Sequence, residues 1–170
     1  DIQCYDQFLQ ARRTMLADSF NEYLDGLATE NVDHYGAATL LERMRGGEDD
    51  DLEFKSSLRW GSKEPADIKK AQFVNMKTIA GFANSDGGTL LIGVNDDGEA
   101  VGLEKDYESL DGDKDEFELH LGQLIDREFG KIFRAERITI SFPEVEETQI
   151  CQVDIRQAAR PLVIKSVNKN

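Results

Sequence analysis

Six side chains in one short stretch have the types that phosphoryl chemistry uses: Glu48, Asp49, Asp50, Asp51, Glu53 and Lys55. Leu52 and Phe54 alternate with Glu53 and Lys55, which is strand periodicity. On a strand, side chains two apart point the same way, roughly 6.5–7 Å apart along it. Glu53 and Lys55 therefore share one face, while Leu52 and Phe54 enter the core. A carboxylate beside a lysine is a nuclease arrangement. The carboxylate holds a hard cation such as Mg²⁺ or Mn²⁺, the cation activates water, and the lysine stabilises developing charge. The same residues also read as a solvated acidic loop running into an amphipathic strand. A second candidate is Asn95-Asp96-Asp97-Gly98, at the end of the apolar run TLLIGV. Asp96 could supply a further ligand from a strand end, where function often sits. Asp-Gly is equally a hairpin turn signal.

Other patterns carry less. Gly93-x-Asn95-x-Asp97-Gly98 with Glu104 imitates a calcium loop but lacks the first carboxylate, and its flanks read as strands. Asp111, Asp113 and Asp115 are spaced two apart, but Glu116 stands where such a loop needs glycine. FANSDGG places its glycines after a helix, so they terminate it and do not open an anion site. No GxxxxGK[ST] or strand-GxGxxG-helix unit is present, which argues against an ATP or NAD site. His34 and His120 are too few and too far apart for a zinc centre. Ser56 and Ser57 have no histidine partner. Arg127, Lys131, Arg134 and Arg137 form a basic stripe in the last third, able to contact nucleic acid or simply to face solvent.

The elements that must position these residues can be read from periodicity. Residues 6–27 carry Phe8, Met15, Leu16, Phe20, Tyr23, Leu24 and Leu27 on one helical face. A second helix, about residues 35–44, stops at Gly46-Gly47, giving a helical hairpin. After the LEFK strand comes a helix with Pro65 in its first turn. The TLLIGV strand, the NDDG turn and a return strand EAVGL follow, then a polar loop. A helix over about residues 115–129 ends at Gly130. ERITISF and QICQVDI alternate as strands joined by the acidic turn PEVEET, and RPLVIKS begins another. The order αα-β-α-ββ-α-ββ-β predicts an α+β fold, a mixed sheet with packed helices preceded by the helical hairpin.

Composition sets the outer bounds. The 170 residues are 39% hydrophobic and 32% charged, a mix that can bury a core and stay soluble and that argues against whole-chain disorder. No apolar run approaches the ~20 residues of a membrane span, and the N-terminal residues lack a signal-peptide pattern. Cys4 and Cys151 make no disulfide framework, so the cytoplasm is the expected compartment. Net charge is −14, concentrated at −11 in residues 48–120, whereas residues 121–170 carry +1. A whole-surface grip on nucleic acid is not expected; a local basic patch or bound metal would be needed.

GEDDDLEFKSSL together with KTIAGFANSDGGTLLIGVNDDGEAVGL resembles the Schlafen AlbA-like domain, over roughly residues 46–165. FELHLGQLI and RPLVIKS are also similar to that family. The resemblance implies residues 1–47 as a helical extension and 48–170 as the domain, shortened at its C-terminal end. It implies a nucleic-acid-binding module, for RNA or DNA, within a larger bacterial regulatory or defence protein. For some members it implies a divalent-metal-dependent endoribonuclease acting on structured RNA such as tRNA through three carboxylates. Glu48 and Glu53 match the first two acids. The third falls at Asp96, or at Asp97, with Asn95 departing from the pattern. Lys55 matches the lysine of the EFK motif. Such nuclease cores use two lobes around a basic groove, so a homodimer or neighbouring domains are the expected partners.

Overall fold

The structure, a computed structural model, describes residues 39–59 and 64–164. The expected helix over 6–27 and the first residues of the 35–44 helix lie outside them, as does Trp60. Residues 39–46 form helix α1. Strand β1 (Leu52–Lys55) leads through helix α2 (Pro65–Asn84) to strand β2 (Gly88–Ile92). Helices α3 (Glu104–Ser109), α4 (Lys114–Phe129) and α5 (Lys131–Arg137) follow. Strand β3 (Ile138–Ser141), a small β4–β5 hairpin (Glu144–Val145 with Thr148–Gln149) and β6 (Cys151–Ile155) complete the order.

The main sheet runs β1-β2-β6-β3. β1 lies parallel to β2, as a helical crossover requires, and β6 is antiparallel to both β2 and β3. The sheet is mixed and the helices pack on it, so the architecture is the expected α+β.

Both faces of the sheet are covered. Leu90, Ile92, Cys151, Val153 and Ile155 pack beneath α2 and α4, against Met76, Ile79, Phe117, Leu121 and Ile125. Leu52, Phe54 and Leu91 face the other way, under Leu40 and Met44 of α1 together with Val145 and Ile150. β2 is buried on both faces, which is why TLLI reads as a continuous apolar run. Edge strand β1 keeps the alternation, with Leu52 and Phe54 fully buried and Glu53 and Lys55 between them half-buried.

The turn between α2 and β2 shows why two glycines stand there. A Cβ on Gly87, whose φ is 99°, would come within 2.6 Å of the Ile155 carbonyl oxygen. One on Gly88 would meet the Phe82 ring at 2.5 Å. The FANSDGG segment thus ends the helix and lets strand and helix pack closely.

Three local expectations are corrected. EAVGL makes a single bridge, Val94 to Ala100, and no return strand. Gly93 turns with φ 92°, its carbonyl accepts from both Val101 and Gly102 amides, and the chain swings into α3. The polar loop thus contains α3, and α5 occupies residues before the ITIS strand. RPLVIKS adds no strand over its described residues. Instead Asn84 grips the backbone of Leu162, donating to its carbonyl at 2.9 Å and accepting from its amide at 2.7 Å. The tail is held at the end of α2, with Leu162 and Ile164 packed on the core.

Candidate functional site

Strand β1 is the edge of the sheet, and an edge strand presents unpaired backbone groups. On its inner side the Asp51 and Lys55 carbonyls accept from β2 and the residue after it. On its outer side Leu52 exchanges backbone hydrogen bonds with Asp49, at 3.0 and 3.4 Å. The next outward pair, on Phe54, is taken by side chains. The Phe54 amide donates to Glu48 Oε1 at 2.7 Å, and Lys55 Nζ donates to the Phe54 carbonyl at 2.6 Å. Lys55 Nζ also lies 2.5 Å from Glu53 Oε1 and 3.9 Å from Glu48 Oε1. Glu48, Glu53 and Lys55 are therefore brought together, around the ammonium group.

The rest of the acidic run is local. Asp49 Oδ1 accepts from the Asp51 amide at 2.9 Å, and this bond holds the Asp49 carboxyl below its usual range. Asp51 pairs with Arg43 of α1 at 3.0 Å, in the exposed range where an ion pair contributes little.

Asp96 lies in the turn after β2. That turn is organised by Asn95, whose Oδ1 accepts from the amides of Asp97 and Glu99 at 3.1 and 2.9 Å. This gives Asn95, which departs from the pattern of the resemblance, a structural role of its own in the turn. Asp96 and Asp97 are exposed. The Gly93 amide donates to the Lys55 carbonyl at 2.8 Å, so the turn sits at the same end of the sheet as Lys55. No contact joins Asp96 to Glu48 or Glu53 among the described residues. Nor, among them, does any group of three or more His, Cys, Asp or Glu have a metal-holding arrangement. The oxygen donors suit a hard cation in kind. Their arrangement does not fit one, because the two carboxylates converge on Lys55 and the third acid stands apart.

The basic residues occupy a different part of the fold. Arg127 ends α4, and Lys131, Arg134 and Arg137 lie on α5, which buries none of its residues. Arg134 makes two bonds to Asp126, at 2.7 and 3.2 Å, which lower the Asp126 carboxyl and raise the guanidinium. Arg127 pairs with its neighbour Glu128 at 3.1 Å. Lys131 and Arg137 enter no ion pair among the described residues. The Arg156 amide donates to the Arg137 carbonyl at 2.8 Å, which brings an exposed arginine beside the stripe. Sequence spacing did not single out Arg156, because it joins α5 through the β3–β6 pairing.

A buried carboxylate was also missed. Asp106 of α3 is 1% exposed and accepts from Ser57 Oγ at 2.8 Å, the Leu58 amide at 3.0 Å and the Arg59 amide at 3.0 Å. It fixes the loop that leaves β1. Nothing local in EKDYES marks that role, since the partners lie 47–49 residues away.

The family model described as Schlafen, AlbA_2 matches residues 48–170, and the chain belongs to that family. Among solved structures it is similar to the DIP2311 protein from Corynebacterium diphtheriae, at 18% identity and a TM-score of 0.47, covering 77% of this chain and 24% of that one. It is also similar to the N-terminal domain of a RecG-related protein from Nitrosomonas europaea, at 21% identity and a TM-score of 0.46, covering 78% of this chain and 82% of that one. No curated protein matches the sequence. No helix among the described residues is long and apolar enough to cross a membrane.

Proposed function

We propose that the chain is a nucleic-acid-binding module of a larger regulatory or defence protein, contacting phosphates through the α4–α5 junction. The observation that carries this reading is the run of Arg127, Lys131, Arg134 and Arg137 along the α4–α5 segment, joined by the backbone of Arg156, in a chain whose net charge is −14. Membership of the family supports it. Lys131 and Arg137 are the main contacts, because Arg127 and Arg134 share their charge with Glu128 and Asp126. The test is fluorescence anisotropy with labelled tRNA, single-stranded RNA and duplex DNA across a salt series. Binding should fall steeply with salt, and Lys131→Gln with Arg137→Gln should weaken it and lower the salt slope by about 2. Absence of binding, or binding indifferent to salt, refutes the reading.

The side-chain types at the β1 edge, two carboxylates beside one lysine, support a second reading only with a rearranged site: a divalent-metal-dependent endonuclease with RNA such as tRNA as substrate. It requires Asp96 to join the two glutamates. Cleavage of tRNA with Mn²⁺ or Mg²⁺ by the wild type, abolished in Glu53→Ala, supports it. Cleavage that survives the substitution removes this site from consideration.

A further inference from the structure

The main sheet has a second edge, and its backbone is open. Strand β3 pairs with β6 alone. The Arg156 amide donates to the Arg137 carbonyl at 2.8 Å, which sets the phase of that ladder. Thr139 and Ser141 then turn their backbone groups toward β6, and Ile138 and Ile140 turn theirs outward. The Ile138 amide is taken by the Arg134 carbonyl as α5 ends. The Ile138 carbonyl and both backbone groups of Ile140 have no partner among the described residues. At β1 the corresponding groups are closed by Asp49, Glu48 and Lys55. β3 has no such cap, and it carries none of the charges or prolines that keep an edge from pairing. A bare, uncharged edge is a template for another strand.

We infer that β3 is the contact between two copies of this chain, joined as one continuous sheet across a two-fold axis at Ile140. The inference is independent of the nucleic-acid reading. It follows from the side chains along the edge. Ile138-Thr139-Ile140-Ser141-Phe142 has the same pattern in both directions, apolar and hydroxyl side chains alternating about Ile140. Ile138 and Ile140 are half-buried and pack with Phe142 on the core formed by α2, α4 and the sheet. Thr139 and Ser141 are exposed on the opposite face. An antiparallel copy centred on Ile140 therefore meets its like on both faces. The two Ile140 residues exchange backbone hydrogen bonds, and each Phe142 amide reaches the partner's Ile138 carbonyl. Ile138 packs beside the partner's Phe142, and Thr139 lies opposite the partner's Ser141. Aromatic with β-branched and hydroxyl with hydroxyl are pairs that stabilise a ladder. Charge agrees with this register. The segment before the strand carries Lys131, Arg134, Glu136 and Arg137, and the segment after it carries Glu144, Glu146 and Glu147. Antiparallel pairing sets the basic end of one copy beside the acidic end of the other.

The test is sedimentation velocity of the full chain over a concentration series at fixed salt. The wild type should pass from monomer to dimer as concentration rises. Thr139→Lys and Ser141→Glu each set like charges diagonally across the axis, and each should weaken the dimer about tenfold. Both positions are exposed, so the circular dichroism spectrum should stay that of the wild type. The double variant, Thr139→Lys with Ser141→Glu, sets opposite charges directly across the axis and should restore the dimer. A chain that stays monomeric at every concentration overturns the inference and leaves the edge to a strand of another protein. A dimer that neither single substitution weakens overturns it as well, since the contact then lies elsewhere. Single losses without recovery in the double variant overturn the register about Ile140, and the inference with it.

Discussion

Two carboxylate sites flank the same strand and are built on opposite terms. Before β1 and on its face, Glu48 and Glu53 are 39% and 35% exposed and gather around one lysine. After β1, Asp106 is 1% exposed and, among the described residues, accepts from one hydroxyl and two backbone amides. The charged side chains of the first site have solvent as an alternative partner. The second has none, so each of its hydrogen bonds must be made within the fold. The acid-rich stretch draws attention in the sequence, yet the carboxylate on which the architecture depends sits between two exposed glutamates, Glu104 and Glu108, in a short helix. Density of charge marks a surface; burial with matched donors marks a joint.

Substitution at the joint is the strongest way to break this contrast. Asp106→Ala leaves the buried Leu58 amide without its acceptor and the Arg59 amide with Ser57 Oγ alone, and should destabilise the chain by about 3 kcal/mol. A urea midpoint no different from wild type would show that the loop finds other partners. The next effect belongs to the edge strand. Glu48→Ala removes the acceptor of the Phe54 amide, with an expected loss of about 1 kcal/mol, and Glu48→Gln should retain most of it. Glu53→Ala breaks only a half-exposed ion pair and should change stability by less than about 0.5 kcal/mol. Equal losses at Glu48 and Glu53 would mean that Glu48 is not a strand cap.

These differences track how far each feature could be read from the sequence. LEFK was legible because alternation is local, and the apolar TLLI run follows from burial on both faces of the sheet. The carboxylate pair with its lysine was legible for the same reason, since spacing along one strand brings Glu53 and Lys55 to one face. Asp106 was not, because its partners lie across α2 and β2 in the chain. Helices α3 and α5 have 6 and 7 residues, too few for a helical period to show. The acidic turn PEVEET was expected, but the β4–β5 pairing around it was not. Glu146 and Glu147 adopt φ of 50° and 65° without the Asn or Gly that usually signals such a turn. RPLVIKS has the composition of a strand, but the amide of Asn84 takes its backbone first.

Acid titration separates the half-buried groups from both carboxylate sites, with smaller effects. His120 has its folded-state pKa lowered below 6.5, mainly by burial and then by Arg59 and Arg127. The unfolded chain therefore binds this proton first, and stability falls as pH drops below 6.5 until the folded-state pKa is reached. Asp126 behaves differently, since its carboxyl is lowered below 3.8, mainly by the Arg134 hydrogen bond. Its contribution is present above 3.8 and is lost as pH falls through the folded value. Urea midpoints taken from pH 8 to pH 5 should decline in the wild type and flatten in His120→Gln. Arg134→Gln should leave that window unchanged and reduce the loss only below pH 4. If His120→Gln keeps the wild-type slope, the imidazole is already solvated in the fold.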